Sequence, residues 1–319
     1  MKRVGNLYWK IAEIENLELA FWKAQRGKSG KRDVIQFRQN LHDNLQGIRQ
    51  EFLDRDITLG NYHYFTIYDP KERIICAADF RERVIQHAVV NICEPYFEKY
   101  QIFDSYACRK GKGVDACLSR TQDFCRCFRW YLKLDIHKFF DSIDHQILLN
   151  ILNRRFKDPD LLFFFSRLIE TYSVEEGKGL PIGNLLSQYF ANLYLGVLDH
   201  ELKDVLRVPG YVRYMDDFIL FTNNKNEIHP LLNRTKEIIN LLKLEYNPPL
   251  QNRTAHGIPF LSYLVTPNGL RLSLKAKRRF CKKITVANQE QSAEKALPLL
   301  AFINRADSMG FRKKVLYGI

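Results

Sequence analysis

The sequence predicts an α+β fold, on three observations. Helical and strand-like periodicities are mixed along the chain without a regular βαβ rhythm. The hydrophobic fraction is 46% of 319 residues, with 22 Phe and 16 Tyr, enough to bury a sizeable core in one large or two to three smaller lobes. One apolar, strand-like run ends at Asp135, and two further such runs flank Asp216-Asp217.

Taken in order, residues 7–56 read as mostly helical. Apolar side chains recur at helical spacing around Leu17, Leu19, Ala20 and Phe21, and again around Leu41, Leu45, Ile48, Phe52 and Leu53. Between them the basic, glycine-containing stretch 23–32 reads as an exposed loop. Residues 62–75 predict two strands joined by a turn at Asp69-Pro70-Lys71. A long helix is expected from Phe80 to Glu98, with Val84, Ile85, Ala88, Val89 and Ile92 on one face. Residues 129–136 alternate as a strand, and a helix begins near 141–145. Residues 147–172 read as helical and very apolar. After a turn at 177–184, Leu186, Phe190, Leu193, Tyr194 and Val197 mark a further helix, ended by Pro209-Gly210. Residues 211–221 read as two short strands around Asp216-Asp217. A helix at 228–243, a hairpin at 259–273 and a basic helical tail complete the chain.

Lys and Arg number 49 against 36 Asp and Glu, a formal charge of +13, which favours a polyanionic partner. No apolar run of about 18 residues occurs, and the start lacks the apolar core of a secretory signal. A membrane partner is therefore not expected, and the protein is read as cytoplasmic. The seven cysteines form no CxxC pair and are expected to be reduced thiols, mostly packed as small apolar groups.

An aspartate at a strand end and a second at a neighbouring hairpin tip can converge to hold hard divalent cations. Two such ions lower the charge cost of in-line attack on a phosphate, one activating a hydroxyl and the other stabilising the leaving group. Taken singly, each aspartate is more commonly a turn former or a cap. Their joint occurrence in one basic chain shifts the balance towards a site.

YMDD (214–217), preceded by Val212 and followed by Phe218-Ile219-Leu220-Phe221, resembles the catalytic hairpin of reverse transcriptases. LDIHKFFDSIDH (134–145) resembles that family's first catalytic segment, LPIGNLLSQYFANLYL (180–195) the segment between, and FLSYLV (260–265) the hairpin that follows. The resemblance covers roughly 60–320, and the first sixty residues resemble the extension of prokaryotic, group II intron-like members. It implies a right-hand polymerase fold with an antiparallel palm sheet and a helical thumb. Residues 1–60 would be a helical N-terminal extension, 61–128 and 146–182 the fingers, 129–145 and 183–268 the palm, and 269–319 the thumb.

The same resemblance implies roles residue by residue. Asp135 and Asp216 would bind two Mg²⁺ ions, with Asp217 assisting, Ile136 offering its carbonyl and Mn²⁺ able to substitute. Phe140 matches the bulky side chain that excludes a ribose 2′-hydroxyl. Arg73, helped by Lys71, falls where a cation meets the incoming dNTP, and Arg suits that task because its planar fork can hold two phosphate oxygens. RKGKG (109–113) resembles a glycine-containing fingers turn. Gly183 would let the backbone approach the templating base pair. Lys275, Lys277, Arg278, Arg279, Lys282 and Lys283 would track the primer–template backbone, with Arg312, Lys313 and Lys314 beyond them.

Two departures are informative. The middle segment is usually QGxxxSP, whereas this chain has Ile182-Gly183-Asn184-Leu185-Leu186-Ser187-Gln188. This is similar to the variant of diversity-generating retroelements, whose reverse transcriptases copy a template-repeat RNA into adenine-mutagenised cDNA. Ile182, Ser187 and Gln188 would then bear on fidelity, because mispairs differ from correct pairs by only a few kcal/mol of contact. Partners implied are template RNA, primer, cDNA, dNTPs and a small basic accessory protein, in a bacterial host with a phage- or chromosome-borne element. The second departure is Leu250, where relatives often carry a lysine facing pyrophosphate; Arg253 or water could replace it. A group II intron, retron or phage-defence reverse transcriptase is the nearer alternative. An intron enzyme is expected to continue into a maturase region. A catalytically silent RNA-binding protein is the alternative from another class.

Overall fold

The computed structural model describes residues 2–68, 72–290 and 292–317. The expected turn at Asp69-Pro70-Lys71, and with it the role given to Lys71, lies outside them.

The N-terminal stretch folds as α1 (Tyr8–Ile11), α2 (Ile14–Ala24), α3 (Arg32–Gln39) and α4 (Leu41–Asp54). Strands β1 (Tyr62–Ile67) and β2 (Arg73–Ala78) pair antiparallel and lead into α5 (Phe80–Tyr100) and α6 (Val114–Cys127). Next come β3 (Trp130–Asp135), the short α7 (Phe139–Ser142), α8 (His145–Asn153), α9 (Pro159–Glu170) and α10 (Leu185–His200). The hairpin β4 (Gly210–Tyr214) and β5 (Asp217–Thr222) is followed by α11 (Ile228–Leu241) and β6 (Leu250–Arg253). Strands β7 (Ile258–Phe260), β8 (Tyr263–Thr266) and β9 (Gly269–Leu272) precede α12 (Leu274–Gln289), α13 (Ala293–Asn304) and α14 (Met309–Tyr317).

These elements form two compact units. The first comprises Met1–Ile102, Ile136–Glu201 and Glu237–Glu245; the second comprises Phe103–Asp135, Leu202–Lys236 and Tyr246–Ile319. In the first unit α2 packs on α5 through Leu17, Phe21, Val84, Ile85 and Ala88, all fully buried. Phe21 meets Phe80 edge-on at 6.0 Å. Buried Asn16 spans the helices by donating to the Ile11 and Ala88 carbonyls. The helical stretch expected over 147–172 is divided into α8 and α9 at Asp158-Pro159. Proline at the first helical position starts α9, and one Asp158 oxygen accepts from Leu161 N while the other accepts from Leu7 N and Tyr8 N. One carboxylate thus serves the first turns of two helices.

The second unit holds two antiparallel sheets, β4-β5-β3-β6 and β7-β8-β9. Its core joins Tyr131, Val212, Ile219 and Phe221 from the first sheet to Tyr263 and Val265 from the second. Phe124 of α6 and Phe280 and Ile284 of α12 close over them. The hairpin expected at 259–273 gains a third strand, because the chain reverses twice, at 261–262 and 267–268.

Candidate active site

The second unit positions the aspartates. β3 and β5 pair antiparallel with Asp135 opposite Asp217, and β4 pairs with β5 so that Tyr214 lies opposite Asp217. Met215 and Asp216 are therefore the two residues of a tight hairpin turn. Directly opposed residues in such a ladder lie about 4.5–5.5 Å apart at Cα, so two carboxylates far apart in sequence share one rung and the third is next to it.

The electrostatics of this rung are strained. Burial pushes the Asp217 carboxyl up to about 7; the charge of Lys133 opposes that rise, and Asp135 and Asp216 add to it. The Lys133 ammonium lies 2.8 Å from Asp217 Oδ1 and 5.9 Å over the Phe260 ring. Asp135 is held by Asn247, whose side-chain amide donates to Oδ2 at 2.6 Å while its backbone N–H donates to the Asp135 carbonyl at 2.8 Å. Among the described residues no three His, Cys, Asp or Glu side chains are already closed around a point fit for a metal ion. The donor set is nevertheless hard oxygen, and a carboxyl raised by burial, and further by two like-charged neighbours, is one that a divalent cation would relieve.

Lys133 and Asn247 were not singled out from the sequence. Lys133 carried a signal: it is two residues before Asp135 and so points to the same face of β3, diagonal to Asp217. Asn247 carried none, since it reaches Asp135 from a loop 112 residues away. Arg253, considered as a substitute for a lysine at Leu250, packs its guanidinium 5.2 Å over Trp130. Trp130 opens β3, about 17 Å along the strand from Asp135, so Arg253 does not serve the aspartates. Leu250 pairs with Lys133.

The first unit assembles other expected residues. Arg73 begins β2 and is exposed. The 182–184 segment is laced along the same strand: Cys76 N donates to Ile182 O at 2.8 Å, and Ala78 N donates to Asn184 Oδ1 at 3.1 Å. Gly183 has φ +118°, and a Cβ there would meet Ile75 Cγ2 at 2.9 Å and Cys76 O at 3.3 Å. Asn184 does not cap α10; Gln86 Oε1 does, accepting from Leu185 N and Leu186 N. Gln86 is itself held by buried Glu82, whose carboxyl burial pushes above its usual range. Ser187 is buried beside a cavity of about 10 Å³, room for one water. Ile182 and Gln188 are half-buried. Phe139 is core, whereas Phe140 is half-exposed, and its carbonyl accepts from Leu180 N at 2.8 Å. Ile136 is buried.

On α12, Ala276, Phe280, Ile284 and Ala287 form the buried stripe. Lys275, Arg278, Lys282 and Lys283 are exposed, with Lys277 and Arg279 partly so. The amphipathic split sets Lys275, Arg278 and Lys282 on the exposed side of the helix.

Comparison with known proteins bears on this arrangement. Residues 68–283 match the family described as "Reverse transcriptase (RNA-dependent DNA polymerase)". The chain belongs to that family. Among curated relatives, the "Group II intron-encoded protein LtrA" of Lactococcus lactis subsp. cremoris is 28% identical over 232 residues, covering 67% of this chain and 38% of its own length. The "Putative COX1/OXI3 intron 2 protein" of Saccharomyces cerevisiae is 23% identical over 211 residues, 61% of this chain and 24% of its own. The chain thus spans well under half the length of either. Among solved structures, apo telomerase from Candida tropicalis aligns with a TM-score of 0.52 at 12% identity, covering 70% of this chain and 50% of that one. The mixed α/β polymerase fold implied by the sequence is the fold of this chain. Among the described residues no helix is long and apolar enough to cross a membrane.

Proposed function

We propose that the chain is an RNA-directed DNA polymerase of the diversity-generating type, copying a template-repeat RNA into adenine-mutagenised cDNA. The observation that carries the polymerase reading is the rung that sets Asp135 opposite Asp217 with Asp216 in the adjoining turn. Asp135, Asp216 and Asp217, with the Ile136 carbonyl, would hold two Mg²⁺ ions. When bound, such ions supply charge neutralisation on the reacting phosphate. The protein's own part is to hold the carboxylates in place, through Lys133 and Asn247, and to orient the reactants. Arg73 takes the triphosphate, Phe140 excludes the 2′-hydroxyl, and the cations of α12 follow the nucleic-acid backbone. The fingers, palm and thumb bounds given above go with this reading, as do template RNA, primer, dNTPs and a basic accessory protein as partners.

Ile182 in place of the usual glutamine supports the diversity-generating subtype. The intron-encoded relatives support a second reading, an intron-type reverse transcriptase that copies with ordinary fidelity. Primer extension on an RNA template with Mg²⁺ tests the shared claim. Asp216→Asn removes several kcal/mol of metal-borne charge stabilisation, so extension should fall roughly 10²–10³-fold while primer–template binding is kept. A wild-type chain that binds primer–template but extends no primer would refute the polymerase reading and leave a nucleic-acid binder, and equal extension by the two proteins would refute the role of Asp216. Sequencing the cDNA separates the subtypes: errors concentrated at template adenines support the first, and equal error rates at all four bases the second.

A further inference from the structure

Arg213 is among the largest side chains with no solvent exposure in this protein. A guanidinium is costly to take out of water, so what it touches matters. It sits on β4, three residues before Asp216, and its Nη1 donates to the Met215 carbonyl at 3.0 Å. The strand beneath it is fixed as well: Arg213 N donates to Asp104 O at 2.9 Å, and Tyr106 N donates to Arg213 O at 3.0 Å.

Met215 is the residue that needs support. It has φ +57°, whereas Asp216 is not among the positive-φ residues. Tyr214 pairs with Asp217 across them. A two-residue hairpin with positive φ at its first central position alone follows the type II′ pattern, and that position ordinarily belongs to glycine. A methionine there is held against its own backbone preference, and such strain persists only where the surroundings over-determine it.

We propose that Arg213 is a positioning residue: its buried guanidinium, bonded to the Met215 carbonyl, holds the bend that directs Asp216 and Asp217 into the metal-binding rung. The proposal rests on the polymerase reading for its catalytic consequence, but the bend itself can be measured without activity.

The test uses the full chain as wild type, Arg213→Met, Arg213→Lys and the double variant Arg213→Met/Met215→Gly. Methionine fills much of the same volume without charge, and thermal melting read beside each variant shows whether the unit stays folded. Backbone amides of 214–217 should then exchange with deuterium at least about tenfold faster, and Mn²⁺, used as the probe ion and followed by its paramagnetic signal, should bind about tenfold more weakly. In primer extension kcat should fall by at least about tenfold, with the KM for dNTP changed by no more than about threefold. Lysine, which keeps one donor, should lie between. Glycine at 215 takes φ +57° without steric cost, so the double variant should regain exchange protection and part of kcat.

A folded Arg213→Met with wild-type exchange and Mn²⁺ binding overturns the proposal, as does a double variant that recovers nothing. Global unfolding of both single variants also overturns it, because the guanidinium would then be needed by the unit as a whole and not by the bend. A wild-type chain that extends no primer defeats the polymerase reading instead, whatever the exchange data show.

Discussion

Gly183→Ala is the perturbation whose cost the structure specifies most closely. An L-residue at φ +118° lies outside the left-handed well, which alone costs about 1–3 kcal/mol. The added Cβ would stand 2.9 Å from Ile75 Cγ2, a methyl that can turn away, and 3.3 Å from Cys76 O, a strand carbonyl that cannot. Relief by moving the segment stretches the Cys76 N to Ile182 O bond, worth about 1 kcal/mol. Together these give about 2–4 kcal/mol, or roughly 3–6 °C of melting point for a chain of this size. Gly111 is the internal control: its φ is +72° and nothing lies within 4 Å of its added Cβ, so Gly111→Ala should cost only about 1 kcal/mol. Thermal denaturation followed by circular dichroism reads both. Adding Ile75→Ala to Gly183→Ala should show favourable coupling, since the first contact is then gone. If the two alanine variants melt together, the claim that close backbone approach fixes this glycine is wrong.

Two further predictions do not involve the aspartates. Burial, then Arg83, Lys23, Lys28 and Arg26, lower His87 from 6.5 to about 4. A base depressed in the folded state contributes stability above pH 6.5 that is lost as pH falls towards 4. The full shift corresponds to at most about 3 kcal/mol, and solvent screening of this half-exposed ring reduces it to about 1–2 kcal/mol. The melting point of wild type should therefore drop more between pH 7.5 and 5 than that of His87→Gln, and parallel curves would dismiss the effect. On α12, Lys275, Arg278 and Lys282 are exposed and lie along one helical face. Replacing all three by glutamine should lower the slope of log affinity for primer–template against log salt by about 2–3; an unchanged slope would place the nucleic acid elsewhere.

The elements legible in the sequence were those whose burial repeats along the chain. The β4–β5 hairpin could be read because Tyr211, Val212, Phe218, Ile219, Leu220 and Phe221 are all buried around a polar turn. α6 was not predicted, because its buried face is carried by Cys117, Thr121 and Cys125 as much as by Leu118 and Phe124, and Gly113, at the capping position before it, offers no side-chain cap. β6, Leu-Gln-Asn-Arg, is exposed at every position and exists as a strand only because β3 has a free edge to pair with. The three aspartates were visible as residue types in motifs. The rung that Asp135 shares with Asp217 depends on the β3–β5 register, which is set by which faces of both strands enter the core. The contacts of Asn247 and Arg213 were illegible for a related reason: one acts across a long loop, and the other acts through a backbone carbonyl that carries no side-chain signature.

The structure also narrows how Ile182 could affect copying under the proposed reading. An amide lost from a loop could act by letting the loop move or by removing a contact from the bound pair. The first route is closed off locally. The Ile182 carbonyl is engaged by Cys76 N, the next residue but one by Ala78 N, and the start of α10 by Gln86, which Glu82 holds in turn. None of these bonds involves the side chain at 182, so the backbone of 182–184 keeps its position whichever residue stands there. What isoleucine changes is confined to its own surface: a half-buried aliphatic group with neither donor nor acceptor where an amide would have offered both. Any relaxation of base-pair selection is therefore a matter of a missing polar contact on a rigid platform. A rigid platform with one contact removed can discriminate less without binding less, which is the combination that an enzyme of controlled infidelity requires.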